Sequence, residues 1–227
     1  MKVVVLSSGG IDSTTCLAMA VDTYGKDNVV SLAFEYGQRH NKELEASKAV
    51  AEYYGVEHIV LNAEKLFSFS NNALMSHSLQ NVPHSTYGEQ TMKGIVSTNV
   101  PFRNGVMIAC AASLAMSLTD DTACVYVGVH SDDYAGCAYA DCSPEFIQLM
   151  SHAISYGTYG QVNLVAPFVY ESKAEIVRRG LLLNVPYELT WSCYEGGDVH
   201  CGECATCIDR KKAFELNGAT DPVGYKK

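Results

Sequence analysis

The 227-residue chain has no apolar run approaching the ~18 residues needed to cross a bilayer, so a membrane-embedded role is not expected. Positive charge is scarce. Lysine and arginine number 16 against 25 aspartates and glutamates, a net charge of −9. That balance argues against an enzyme held to RNA or DNA by a basic surface. It leaves room for a small anionic ligand gripped by backbone amides. Internal repeats and low-complexity segments are absent. The opening Met1-Lys2-Val3-Val4-Val5-Leu6 is too short for a secretory segment and runs into a polar glycine turn, so a cytoplasmic location is expected. Two common nucleotide fingerprints are also missing. The glycine turn is not G-x-G-x-x-G, and no Gly-Lys-Ser/Thr follows it.

What is present points to one large α/β fold. Hydrophobic residues at 48 % and charged residues at 18 % exclude a disordered chain. At this length a core forms without help from disulfides. The nine cysteines fit a disulfide framework poorly because their number is odd. In a reducing compartment they are thiols or metal ligands. Cys16, Cys110, Cys124, Cys137 and Cys142 are scattered, and Cys193, Cys201, Cys204 and Cys207 are clustered. Cys16 and Cys110 lie in alanine-rich, helix-like runs and read as small core residues.

Strand and helix patterns alternate along the chain. Lys2–Leu6 is a β-branched run of the kind found in buried parallel strands. Strands are expected over Val29–Phe34, Glu57–Leu61, Ala123–Val129 and Val162–Ala166. Helices are expected over Ser13–Val21, Asn41–Tyr54 (stopped by Gly55), Gly105–Ser117, Glu145–Ser155 and Ser172–Leu182. The fold class is therefore α/β: an open parallel sheet with helices on both faces. Two stretches break the alternation: the polar Asn62–Pro101 segment and the loop Asp132–Pro144 after the strand at 123. A loop as long as the first is usually functional or mobile, and the second follows a strand end, where open parallel sheets bind ligands. Residues 1–189 are expected to form the α/β domain and 190–227 a cysteine-bearing appendage.

The turn Ser7-Ser8-Gly9-Gly10-Ile11-Asp12-Ser13-Thr14-Thr15 joins the first strand to the first helix. Paired glycines allow a close approach of backbone to ligand. Ser13, Thr14 and the free amides of the helix start can bind phosphate oxygens. Asp12 would repel phosphate unless Mg²⁺ lay between them, so it is assigned to that metal or to orienting the loop. The bland alternative is a strand–helix turn with Ser and Asp caps.

Cys193-x7-Cys201-x2-Cys204-x2-Cys207 places four soft ligands within 15 residues, a spacing that suits tetrahedral Zn²⁺. With sulfur in every position such a site is structural. A redox C-x-x-C pair is the weaker reading, because two overlapping pairs share Cys204.

Other constellations are less decisive alone. Tyr36-Gly37-Gln38-Arg39-His40 precedes a helix start with Glu43 inside it, and suits either a planar polar ligand or a capped surface helix. Arg103-Asn104 opens a helix where the arginine can grip an anion bidentately. Lys173 stands at a helix start, where the dipole disfavours a cation unless an anion is bound nearby. Asp133 and Asp141, in His130-Ser131-Asp132-Asp133-Tyr134 and Tyr139-Ala140-Asp141-Cys142, can accept hydrogen bonds from a guanine-like base. Cys142 reads as a buried thiol rather than a nucleophile.

Ser8-Gly9-Gly10-x-Asp12-Ser13 resembles the pyrophosphate loop of the N-type ATP pyrophosphatases, and the full set of motifs is similar to the 7-cyano-7-deazaguanine synthase family. That set adds Tyr36–His40, Arg103-Asn104, Tyr139-x-Asp141-Cys142, Lys173 and Thr190-Trp191-Ser192-Cys193-Tyr194 before the cysteines. The resemblance runs from end to end. It implies an adenine-nucleotide alpha-hydrolase-like fold and conversion of 7-carboxy-7-deazaguanine with ammonia and ATP to the nitrile precursor of queuosine and, in archaea, archaeosine.

By residue, the resemblance implies ATP bound at Ser7, Ser8, Gly9, Gly10, Ile11, Asp12, Ser13, Thr14, Thr15, Cys16 and Leu17. Asp12, Ser13 and Lys173 would be catalytic, and Tyr36, Gln38, Arg39, His40, Arg103, Asn104, Asp133 and Asp141 would bind substrate. The four clustered cysteines would hold structural Zn²⁺, and Mg²⁺ would accompany ATP. The family also implies a homodimer, no direct nucleic-acid partner, and ammonia from solution or another protein, since the chain carries no glutaminase-like segment. Asn62–Pro101 is the expected interface or substrate lid.

Three features depart from the family's usual pattern. Tyr-Pro-Asp-Cys-Arg is here Tyr139-Ala140-Asp141-Cys142-Ser143. The Gly136-Cys137-Ala138 stretch is about two residues longer, and the Cys193–Cys201 spacing varies within the family. Alternatives are a ligase that stops at the amide or couples the deazaguanine to another amine, a tRNA thiolase or lysidine-type enzyme, and a zinc-ribbon protein that binds nucleotide without turnover.

Overall fold

The computed structural model describes residues 1–92, 94–134 and 138–226. Cys137 and the Gly136-Cys137 part of the longer stretch lie outside the described residues. Five strands form one parallel sheet: β1 (Lys2–Leu6), β2 (Val29–Glu35), β3 (Glu57–Asn62), β4 (Ala123–Tyr126) and β5 (Val162–Val165), in the order β3-β2-β1-β4-β5. The helices are α1 (Ile11–Tyr24), α2 (Lys42–Tyr54), α3 (Glu64–Phe67), α4 (Tyr87–Thr91), α5 (Arg103–Leu118), α6 (Ser131–Tyr134), α7 (Pro144–Gly157), α8 (Lys173–Leu182) and α9 (Ala205–Leu216).

Alternation along β1 divides the core in two. Val4 points to the face covered by Ile108, Ala111 and Ala115 of α5. Val3 and Val5 point to the face covered by Ile11 and Leu17 of α1 and Ile176 of α8. Burial of both faces explains why β1 is a run of valine rather than an alternating pattern. Residue 16 is a buried core thiol, as its helix pattern implied, and Cys110 is partly buried on the other face. From α9, Ala213 and Phe214 join the core that holds α1 and α8.

Local signals hold at the helix ends. Gly55 closes α2 in the left-handed conformation, and Ser172 and Glu175 form a reciprocal capping box at the start of α8. β4 ends at Tyr126, three residues before the expected Val129. Val127 still donates to the carbonyl of Val165, the last residue of β5, and neither β1 nor β5 is paired to the chain beyond Tyr126.

The strand order reverses direction between β1 and β4, and ligands in open α/β sheets bind outside such a switch point. Gly128 serves this point: a Cβ there would lie 3.0 Å from the Asp12 carbonyl carbon and 3.1 Å from the Ser13 nitrogen. The absence of a side chain lets the start of α1 press against the end of β4. No helix among the described residues is long and apolar enough to cross a membrane. The irregular segment 62–101 buries Phe67, Leu74, Met75, Tyr87, Val96 and Val100 against the α5 face.

Candidate active site

A cavity of about 210 Å³ opens at the switch point. Its first cluster is the turn after β1. Ser7 donates its backbone N–H to the Leu32 carbonyl at 2.8 Å and its own carbonyl accepts from Ser47 Oγ at 3.0 Å, which pins the turn between β2 and α2. Ser13 Oγ lies 3.2 Å from both the Ser8 nitrogen and Ser8 Oγ. The start of α1 has no side-chain cap, so its first-turn amides remain a place for an anion.

Gly9 is required by the protein rather than by a ligand. Its φ is +76°, and a Cβ would come within 2.5 Å of the Ser47 nitrogen and 2.6 Å of the Glu43 carbonyl oxygen. Ser7, Ser8, Gly10, Ile11, Asp12 and Ser13 line the cavity. Thr14, Thr15, Cys16 and Leu17 are buried behind it, where Thr15 Oγ1 lies 2.8 Å from the Tyr187 hydroxyl.

Lys173 enters the same cluster from the start of α8. Its Nζ is 3.2 Å from Asp12 Oδ2, and its backbone N–H donates to Asp132 Oδ2 at 2.8 Å. Burial alone would lower the Lys173 pKa, but Asp12, Asp133 and Asp209 more than offset it and hold the ammonium charged. These carboxylates answer the helix-dipole objection to a cation here. His130, fully buried, puts Nε2 3.3 Å from Asp133 Oδ2 and 3.7 Å from Asp12 Oδ2. Asp12 Oδ1 is buried and accepts no hydrogen bond among the described residues.

The second cluster is assembled from distant segments. Arg103, in the first turn of α5, donates Nη1–H to the Tyr36 hydroxyl at 3.2 Å and sits 5.6 Å from the centre of that ring. Burial pushes the Tyr36 phenol up to about 12. Glu43 of α2, Asn104, Tyr139, Cys142 and Tyr194 also line this part of the cavity. Burial, then Asp133 and Asp141, push the Cys142 thiol well above its ordinary value, so it stays protonated.

The other expected substrate-binding residues are distributed unevenly. Gln38 touches the cavity, but its side chain also accepts from the Tyr36 N–H at 2.8 Å and donates to the Phe34 carbonyl at 3.2 Å. Arg39 and His40 face a separate polar pocket with Glu35 and Glu64. Asp133 lines the main cavity. Asp141 does not, and its Oδ2 accepts the Asn104 backbone N–H at 2.9 Å, anchoring the start of α5. Ser143, where the family usually carries arginine, caps α7 by accepting the Phe146 N–H at 3.1 Å, with Pro144 in the first turn.

The four clustered cysteines are buried, and their sulfurs lie within 4.8 Å of one another. Cys201 Sγ and Cys207 Sγ are 3.9 Å apart, close to the ~3.8 Å edge of a tetrahedron with 2.3 Å metal–sulfur bonds. Backbone N–H groups of Cys201, Glu203 and Cys204 point at these sulfurs from 3.3 to 3.4 Å. The residues present fit a four-thiolate metal site.

The segment that carries these cysteines also builds the cavity. Trp191 donates its backbone N–H to the Gly9 carbonyl at 2.8 Å, and Trp191, Ser192, Tyr194 and Thr206 line the wall. Buried Arg210 holds the approach in place with bonds of 2.8 and 2.9 Å to Asp221 and of 2.8 Å to Thr190 Oγ1. Thr206 and Arg210 carry no local motif. Trp191 and Tyr194 belong to the family-like stretch Thr190-Trp191-Ser192-Cys193-Tyr194, which assigns neither of them a place in the site.

The family profile described as queuosine biosynthesis protein QueC matches residues 2–218. The chain belongs to the QueC family. It is 40 % identical over 225 residues to a relative from Hahella chejuensis named 7-cyano-7-deazaguanine synthase, covering 99 % of this chain and 93 % of the relative. Proteins of the same name from Oceanobacillus iheyensis and Methanoculleus marisnigri are each 42 % identical, covering 99 % and 100 % of this chain and 98 % and 99 % of those relatives. Among solved structures, an NMN synthetase from Francisella tularensis aligns over 96 % of this chain and 78 % of its own, with TM-score 0.52 and 14 % identity. The U34-tRNA thiolase NcsA from Methanococcus maripaludis aligns over 96 % and 66 %, with TM-score 0.51 and 15 % identity. At these identities the structural likeness concerns the fold. The adenine-nucleotide alpha-hydrolase-like fold expected for this QueC-family chain is the fold observed.

Proposed function

We propose that the chain is an ATP-dependent carbon–nitrogen ligase that converts 7-carboxy-7-deazaguanine and ammonia into 7-cyano-7-deazaguanine for queuosine-type biosynthesis. The observation that carries this reading is the meeting of the Ser8–Ser13 loop and the Arg103–Tyr36–Glu43 cluster in one cavity, in a chain that matches its family almost throughout.

A substrate carboxylate oxygen attacks the α-phosphorus of ATP, and pyrophosphate leaves. Ammonia attacks the carbonyl carbon of the acyl adenylate, expels AMP and loses a proton to give the amide. The amide oxygen then attacks a second ATP, again releasing pyrophosphate. Loss of AMP and the remaining N–H protons leaves the nitrile. The α1 amides and Ser13 hold the phosphates, and Lys173 offsets the charge that builds on the leaving pyrophosphate. Arg103 binds the substrate's anionic or carbonyl group, with Tyr36 and Asn104 beside it. No side chain forms a covalent intermediate, and the rate gain comes from alignment and charge stabilisation.

The orphaned Asp12 Oδ1 is a fitting ligand for the Mg²⁺ that accompanies ATP, an ion that would neutralise phosphate charge there. Cys193, Cys201, Cys204 and Cys207 would hold Zn²⁺ with no position left for water, so zinc acts as a cross-link of the 190–227 appendage. A cytoplasmic homodimer fits the reading. Phe69, Leu79, Met92 and Ile95, exposed on segment 62–101, are the proposed contact.

The test is a product assay by mass spectrometry with Mg·ATP, ammonium and 7-carboxy-7-deazaguanine. A nitrile with two AMP per turnover is expected. An amide that never advances would move the chain to an amide-forming ligase, and no AMP would leave only a nucleotide-binding protein.

A further inference from the structure

Among the carboxylates that line the cavity, two are engaged and one is not. Asp12 pairs with Lys173, and Asp133 faces His130. Glu43, in the first turn of α2, makes no side-chain hydrogen bond or ion pair with any described residue. Arg103 shares the cavity and its charge acts on Glu43, yet the two do not close on each other. One of the arginine's five N–H donors goes to the Tyr36 hydroxyl. Two opposite charges held apart in one cavity call for a ligand with acceptors towards one and donors towards the other.

A guanine-type base presents such donors, with the ring N1–H beside the exocyclic 2-amino group. A carboxylate accepts both at once, whereas a carboxamide turns a donor of its own towards one of them. We propose that Glu43 is the specificity-determining residue of the site, accepting the N1–H and 2-amino hydrogens of the deazaguanine. This deepens the proposed function and rests on it. Burial raises the pKa of the Glu43 carboxyl while Arg103 and His40 pull it back, so two ligand donors would relieve a desolvated group. Glu43 is also fixed relative to the phosphate loop. Its carbonyl oxygen lies 2.6 Å from where a Gly9 Cβ would stand, so one helical turn registers the base edge against the ATP site.

The test is a cycle of two ligands and two proteins, read by calorimetry on the metal-loaded full chain. The ligands are 7-carboxy-7-deazaguanine and its analogue without the 2-amino group. The wild type is expected to prefer the first by about 10- to 100-fold, the range for a hydrogen bond to a charged group. Glu43→Gln should reduce that preference to about threefold or less while binding a non-hydrolysable ATP analogue as the wild type does. An unchanged preference in Glu43→Gln overturns the assignment. A wild type that binds the ATP analogue but neither base overturns the functional reading and this assignment with it. Should Glu43→Gln lose nucleotide binding through misfolding, Glu43→Asp carries the same cycle. An intermediate preference is expected from the retracted carboxylate, and a full wild-type preference overturns the proposal.

Discussion

The two clusters of the cavity are built in opposite ways. The phosphate-loop cluster comes almost entirely from one contiguous stretch, Ser7–Ser13, with Lys173 added from the start of α8. The arginine–tyrosine cluster draws Tyr36 from the end of β2, Glu43 from α2, Arg103 from α5, Tyr139 from the loop before α7 and Tyr194 from the appendage. A site made of consecutive backbone amides survives as long as its own turn holds. One assembled from five segments depends on every element that positions it. On this account chemistry on ATP sits in the local cluster, and substrate choice sits in the dispersed one.

Metal removal should break the distinction altogether, because Trp191 ties the appendage to Gly9 while Tyr194 enters the other cluster. A four-thiolate site contributes on the order of 10 kcal/mol to folding, so chelation should expose the amides of 190–216 to hydrogen exchange and weaken both ligands. The next largest effect belongs to Arg210→Ala. It leaves Asp221, whose side chain is 7 % exposed, without its bidentate partner and should cost about 3–5 kcal/mol in urea denaturation. The same pair has a pH signature. Burial works to raise the Asp221 carboxyl, but the Arg210 hydrogen bonds overcome it and hold it below its usual value. A carboxyl depressed in the folded state contributes stability above its unfolded pKa of about 4 and loses it as pH falls through the folded value. Arg210→Ala should therefore flatten the loss of stability below about pH 4.

Two smaller changes sharpen the comparison by separating the clusters. Lys173→Met should lower kcat by about 10²–10³-fold with little change in base affinity. Arg103→Ala should instead weaken base binding, measured by calorimetry, by about 10–100-fold while the affinity for an ATP analogue stays put. Equal effects of both on both ligands would erase the division drawn here. Gly9→Ala, with a Cβ forced against α2 at positive φ, should cost about 1–3 kcal/mol of stability by thermal melting.

This contrast also explains what the sequence made legible. The strand–helix alternation, the Ser8–Ser13 turn and the four cysteines are local patterns, and all three occupy the places in the fold that their spacing implied. Elements were off mainly at their ends, as with β4, where pairing depends on how far its neighbours extend. The dispersed cluster was visible only as fragments. Glu43 beside Tyr36–His40 suits either a planar polar ligand or a capped surface helix, because nothing local shows that α2 is pressed against Gly9 with its first turn facing a cavity. Asp141 looked like a ligand group, yet its carboxylate anchors α5, a tertiary contact across 37 positions. Arg210 and Thr206 sit on an otherwise ordinary helix, and their roles follow only from where α9 docks.

The central claim is that oxygen leaves the substrate carboxyl on AMP in two successive activations within one cavity. The direct measurement supplies 7-carboxy-7-deazaguanine labelled with ¹⁸O in both carboxyl oxygens and reads AMP, pyrophosphate and base by mass spectrometry. One ¹⁸O is expected in each of the two AMP molecules released per nitrile and none in pyrophosphate. Unlabelled AMP formed alongside nitrile would contradict it, since the oxygens would then have left by a route that does not pass through the α-phosphorus.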